Sequence, residues 1–98
     1  MNRALIVEPE AEAEIAEARN WYDLRSPGLG AEFVGAVDTT LAAIRQNPFQ
    51  YQPVWGHFRR AGLRRFPYGL IYIVPDRQII VVSCFHGRRN PKVWRERI

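Results

Sequence analysis

Ninety-eight residues, 47% hydrophobic and 12% aromatic, suffice for one domain (1–98) with a packed core and leave no room for a second. That composition excludes a disordered chain, no apolar run nears the ~20 residues that span a bilayer, and the lone Cys84 excludes an internal disulfide or a cysteine-built metal cluster. The net charge of +4 hides a division: residues 1–50 carry four arginines against eight acidic residues, and residues 51–98 carry ten cations against Asp76 and Glu96.

The N-terminal stretch MNRALIVEPE has one arginine and a four-residue apolar run ahead of acidic residues, so it reads as no signal peptide, and a cytoplasmic location is expected by default. Residues 3–7 read as a first strand. Pro9 suits the first position of a helix, with Glu10 and Glu12 near the positive end of its dipole. Ala11, Ile15, Ala18 and Tyr22 recur at helical period and predict the buried stripe. Glu10, Glu14 and Glu17 line another face. With no histidine or second acidic motif beside them, they read as a solvated row rather than a metal or acid–base site.

Residues 25–30, RSPGLG, break the helix. A second helix is expected over 31–46, with Val34, Val37, Leu41 and Ile44 as its stripe and Phe33 beside it, ended by Asn47-Pro48. So short a link predicts an antiparallel hairpin of helices packed on one face of a sheet. Residues 49–57, FQYQPVWGH, read as a loop leading into a strand. Phe49, Tyr51 and Trp55 could stack on nucleotide bases, but the end of a small core is the favoured place for them. His57 follows Gly56 in this loop and has no second set of ligands with which to hold a metal.

Further strands are expected at 59–66, with Gly62 as a bulge, at 70–74 and at 79–86, the last two joined by a turn at 75–78. The 79–86 run is apolar on both faces and should be central. Strict alternation puts Ile80, Val82, Cys84 and His86 on one face and Ile79, Val81, Ser83 and Phe85 on the other. Cys84 reads as a small core residue. Residues 87–91 form a basic loop, and 92–98 a short terminal helix or arm anchored by Trp94. The fold class is α+β: an N-terminal strand and a two-helix hairpin on a mainly antiparallel four-stranded sheet.

Thirteen of the fourteen cations are arginine, and nine of the ten cations in the second half lie between Arg59 and Arg95. Arginine offers a permanent charge and a planar fork for phosphate or carboxylate, so the second half should meet an acidic or polyanionic partner.

Several segments together are specific: Trp21-Tyr22, PGLGAEF at 27–33, RFPYGLIY at 65–72, and HGRRNP at 86–91 with Trp94. On these the chain resembles the RelE/ParE superfamily of toxins from bacterial type II toxin–antitoxin modules, over nearly its whole length. The resemblance implies a toxin held inactive in a hetero-oligomer with a cognate antitoxin, without membrane or cofactor. Two activities occur on such a fold, inhibition of DNA gyrase (ParE-like) and cleavage of mRNA on the ribosome (RelE-like). For cleavage, His86 would be the catalytic histidine, with Arg64, Arg65 and Arg89 stabilising the phosphate, as a metal-independent endoribonuclease. Gly87 follows His86 where better-known nucleases carry an aromatic or ionisable group, and no acidic residue lies in the strands. For gyrase binding only a complementary surface is needed, with Arg88, Arg89, Trp94, Arg59 and Arg60 as contacts. The residues lean to the non-enzymatic inhibitor, and the nuclease is the alternative.

Overall fold

In this computed structural model, which describes residues 3–98, the chain runs β1 (Ala4–Val7), α1 (Pro9–Arg25), α2 (Leu29–Gln46), β2 (Pro53–Trp55), β3 (Phe58–Gly62), β4 (Tyr68–Ile73), β5 (Gln78–His86) and α3 (Lys92–Arg95). The strands form one sheet in the order β1-β5-β4-β3-β2. β1 pairs parallel with β5, while β2–β3, β3–β4 and β4–β5 are antiparallel. The α+β class and mainly antiparallel sheet are as expected from the sequence, and β5 is flanked on both sides.

Five strands are present where the sequence predicts four. Residues 53–55, expected to be loop, pair with β3 through an irregular register. β3 ends at Gly62 rather than at Phe66, and Gly62 pairs in register with Gly69 instead of forming a bulge. Beyond it the chain bends, Arg65 adopts a left-handed φ of 71°, and Leu63 and Phe66 turn into the core.

α1 and α2 pack on each other across a three-residue link, at whose end Gly28 takes a φ of +91° that only glycine adopts without strain. α1 buries Ala11 and Ala18, with Ile15 and Tyr22 partly covered, which is the predicted stripe. α2 begins at Leu29, two residues early, and buries Phe33, Val37, Thr40 and Ile44. Tyr22, Phe33, Phe66 and Tyr68 meet as an aromatic cluster under the hairpin, with ring centroids 5.0–6.2 Å apart. A second, smaller core lies on the other face, where Trp94 of α3 covers Ile71, Val82 and Phe85 beside Phe58.

The faces of β5 depart from simple alternation. Ile71 pairs with Ser83 but Tyr72 with Val81, so Val82 is an extra residue opposite β4. That bulge shifts the side-chain period by one. Ile79, Val81 and Cys84 join the helix-side core, and Ile80, Val82 and Phe85 the α3 side. The predicted grouping of Val82 with Cys84, and of Val81 with Phe85, is thereby corrected.

Candidate functional site

β1 covers β5 only from Gln78 to Val81, so the edge of β5 from Val82 onward has no neighbouring strand on that side. Side chains close it instead. Glu14 of α1 accepts from the Ser83 hydroxyl (2.8 Å) and the Cys84 amide (3.0 Å) on Oε1, while Arg97 reaches its Oε2 at 3.3 Å. The other Arg97 nitrogen donates to the Val82 carbonyl at 2.6 Å. Glu14 therefore does not belong to a solvated row. Its signal in the sequence is position, because it lies three residues after Ala11 and four before Ala18, on the edge of the buried stripe.

Past that clasp opens a cavity of about 710 Å³, walled by α1 at Glu17, Trp21 and Tyr22 and by Tyr68, His86, Arg88 and Arg89. Cys84 and Glu14 lie at its floor. The turn after β5 is held by backbone bonds: the Gly87 amide donates to the Pro67 carbonyl (2.8 Å) and the Arg89 amide to the His86 carbonyl (3.2 Å). The His86 ring stands edge-on to Tyr68, centroids 5.1 Å apart, and its Nδ1 accepts the Arg88 amide at 3.0 Å. In the neutral ring this bond places the hydrogen on Nε2.

Three groups here, Cys84, Tyr68 and Tyr22, are pushed toward their protonated forms. Burial, then the nearby Glu14, pushes the Cys84 thiol from 9.0 up to about 12. Burial raises the Tyr68 phenol, with Tyr22, Cys84 and Glu17 adding to the rise and Arg89 opposing it. Tyr22 is raised by burial and by Cys84. In the same helix-side core Tyr72 rises to about 12, chiefly through burial, with Arg59 opposing and Tyr51 adding. Its hydroxyl donates to the Pro48 carbonyl.

The sequence-predicted site residues divide. His86, Arg88 and Arg89 stand together at the cavity. Arg65 is ion-paired with Glu32 of α2 at 2.8 Å, and Arg64 lines none of the three main cavities among the described residues. Arg59 donates to the Phe49 and Tyr51 carbonyls and so holds the loop before β2. Arg60 lies on the α3 side. Trp94 is 2% exposed; it anchors α3 and offers no surface. At the cavity the exposed aromatic area comes from Trp21, 50% exposed with the Arg25 guanidinium 4.1 Å from its ring centre, while Phe49 and Trp55 are exposed elsewhere instead of plugging the core. Among the described residues no three His, Cys, Asp or Glu side chains group to hold a metal ion. No helix there is long and apolar enough to cross a membrane.

Residues 5–91 match the family model described as ParE toxin of type II toxin-antitoxin system, parDE. Curated relatives named Toxin ParE2, from two strains of Mycobacterium tuberculosis, are 30% identical over 92 residues, which is 93% of this chain and 88% of theirs. Among solved structures, one from the chromosomal ParDE TA system of P. aeruginosa superposes with a TM-score of 0.77 at 16% identity, covering 86% of this chain and 95% of that one. One from the RelBE2 toxin-antitoxin complex of Mycobacterium tuberculosis gives 0.61 at 13%, covering 88% and 99%.

Proposed function

Because this chain belongs to the ParE family of toxins from type II toxin–antitoxin systems, we propose that it arrests growth by binding and inhibiting DNA gyrase, with no bond-making chemistry of its own. One observation carries the reading against RNA cleavage: His86 Nδ1 accepts the Arg88 amide. A neutral imidazole so held has its hydrogen on Nε2, and neither nitrogen keeps a free lone pair for a 2′-hydroxyl proton. Tyr68 and Cys84 are pushed toward their protonated forms and supply no base either. What the end of the sheet offers is a binding surface. Arg88 and Arg89 project from a turn fixed by three backbone amides, and Lys92 follows at the start of α3. Arginine in a preorganised turn loses little freedom on contact, the property of interface anchors.

The partner that silences the toxin is a cognate antitoxin in a hetero-oligomer, a reading supported by the ParDE and RelBE2 systems from which the similar structures come. Its inhibitory segment combines apolar and acidic residues, because the cavity pairs Trp21, Tyr22 and Tyr68 with Arg88 and Arg89. The test is inhibition of supercoiling by purified gyrase, run beside pulse-labelling of cells minutes after induction. Gyrase inhibition and an early stop in DNA synthesis, both retained by His86→Ala, are expected. Protein synthesis stopping first, with DNA synthesis continuing and His86→Ala inert, would establish the ribosome-dependent endonuclease instead.

A further inference from the structure

On the α3 face, three glycines from separate segments make a trough for one arginine. Gly62 and Gly69 are cross-strand partners, and Gly87 follows β5, itself paired to β4. The Arg60 side chain lies across them. A Cβ on Gly69 would fall 2.5 Å from its Nε, one on Gly62 3.3 Å from Nη1, and one on Gly87 3.6 Å from Nη2. So close an approach on Gly69 requires the absence of a side chain there.

The guanidinium held in this way has no hydrogen bond or ion pair among the described residues. It opens into a recess of about 180 Å³ that Arg89 and Arg95 also line, over Phe85 and Trp94. Arg89 stands 5.4 Å from the Phe85 ring centre and Arg95 5.5 Å from that of Trp94. The Nε of Arg95 is buried and has no acceptor. No carboxylate lines the recess, and the ion pairs among the described residues, Arg65–Glu32 and Arg97–Glu14, engage other arginines. Three groups that cannot discharge, set on an apolar floor with a buried donor unused, are arranged for an anion that is absent from the chain itself.

We propose that Arg60, Arg89 and Arg95 form a binding site for a dianionic phosphate group. A planar carboxylate presents two oxygens and one charge. Three guanidinia approaching from β3, the post-β5 turn and α3 match the three free oxygens and nearly two charges of a phosphomonoester. Such a group is carried by a small phosphorylated metabolite or by the 5′ end of a nucleic acid, and the recess is small enough to take the phosphate while the remainder stays outside. The site stands on this geometry alone and does not depend on which target the toxin arrests.

The experiment titrates inorganic phosphate into the full chain at constant ionic strength, following the arginine Nε–H signals by NMR and the thermal midpoint. Saturable shifts of the Arg60 and Arg95 signals are expected, with affinity lowered about ten-fold or more by Arg60→Gln and, independently, by Arg95→Gln. Arg45→Gln on α2 should leave it unchanged. Each variant is first checked for an unaltered midpoint without phosphate, and two variants on different elements keep the result readable if one misfolds. A second arm compares a short oligonucleotide bearing a 5′ phosphate with its 5′-hydroxyl twin. Arg60-dependent preference for the phosphorylated strand makes a nucleic-acid end the source, and phosphate binding without that preference makes it a small phosphorylated compound. Absence of saturation, indifference to both variants, or equal binding of an acetate control would overturn the assignment.

Discussion

Glu14 and Arg97, 83 positions apart, meet at 3.3 Å over the one stretch of β5 that β1 leaves uncovered. Together they do what a strand would do there. Glu14 accepts the Cys84 amide, and Arg97 donates to the Val82 carbonyl. The bulge at Val82 and the end of the chain are thus joined to α1 by two side chains, both largely covered.

Removing Glu14 leaves the Ser83 hydroxyl, the Cys84 amide and the Arg97 guanidinium without their acceptor. Glu14→Ala should cost about 1–3 kcal/mol in urea unfolding, and Glu14→Gln, which keeps one oxygen, clearly less. Glu14→Ala and Arg97→Ala share the contact, so a double-mutant cycle should return a coupling of about 0.5 kcal/mol or more. Strict additivity would show that the pair is incidental.

Two glycines of α2 should respond in opposite senses to the same change. A methyl on Gly30 would lie 2.6 Å from the Arg19 carbonyl and 2.7 Å from Asp23 Oδ1, the atom that accepts the Gly30 amide at 2.7 Å and ties the two helices together. Gly30→Ala must separate the hairpin or break that bond, at about 1–3 kcal/mol. Gly35 has nothing within 4 Å of its Cβ position, so Gly35→Ala should gain about 0.5–1 kcal/mol from helix propensity. Thermal melts of the two variants against the parent decide it, and a loss at both positions would contradict the packing described.

Most of the architecture could be read from periodicity, because the helical stripes and the apolar runs at 70–74 and 79–86 are strong local signals. What could not be read depends on neighbours. The face reversal in β5 arises from its register against β4, where Tyr72 skips to Val81, and nothing within IIVVSCFH marks it. β2 begins at a proline, spans three residues and is exposed throughout, so it exists only through pairing with β3. At the site, the basic turn at 86–89 was legible as a cluster. The diversion of Arg65 to Glu32 and of Arg59 to backbone carbonyls was not, since each arginine's partner lies in a distant segment or a loop of unpredictable path.

Alkaline pH should unfold this protein through groups that do no chemistry. In the folded chain Cys84 holds its proton up to about 12, against 9.0 when unperturbed, and Tyr72 likewise up to about 12 against 10.0. Both are neutral when protonated, so above pH 9 the unfolded chain loses protons that the folded chain keeps. The stabilisation is complete below pH 9 and is lost as pH rises toward 12. Between 9 and 10 the slope should approach one proton, about 1.4 kcal/mol per pH unit, and above 10 it should steepen as Tyr72 joins. Cys84→Ala should flatten the 9–10 portion in denaturant titrations repeated across pH. An unchanged slope would mean that the thiol is not buried as described.

Trp94 governs how the toxic surface should be dissected. Cutting the chain after Pro91 would remove the surface of α3, but also the side chain that covers Ile71, Val82 and Phe85, together with the Arg97 clasp. Lost toxicity would then report unfolding as readily as lost contact, since Trp94→Ala alone should cost about 3–5 kcal/mol. Arg88 and Arg89 are exposed, and their side chains take part in no hydrogen bond or ion pair among the described residues. Replacing both by glutamine should therefore leave stability within about 0.5 kcal/mol. If the turn after β5 is the binding element, that double variant should lose gyrase inhibition at least ten-fold while still folding. Full inhibition by a folded Arg88→Gln/Arg89→Gln protein would move the target contact elsewhere on the sheet.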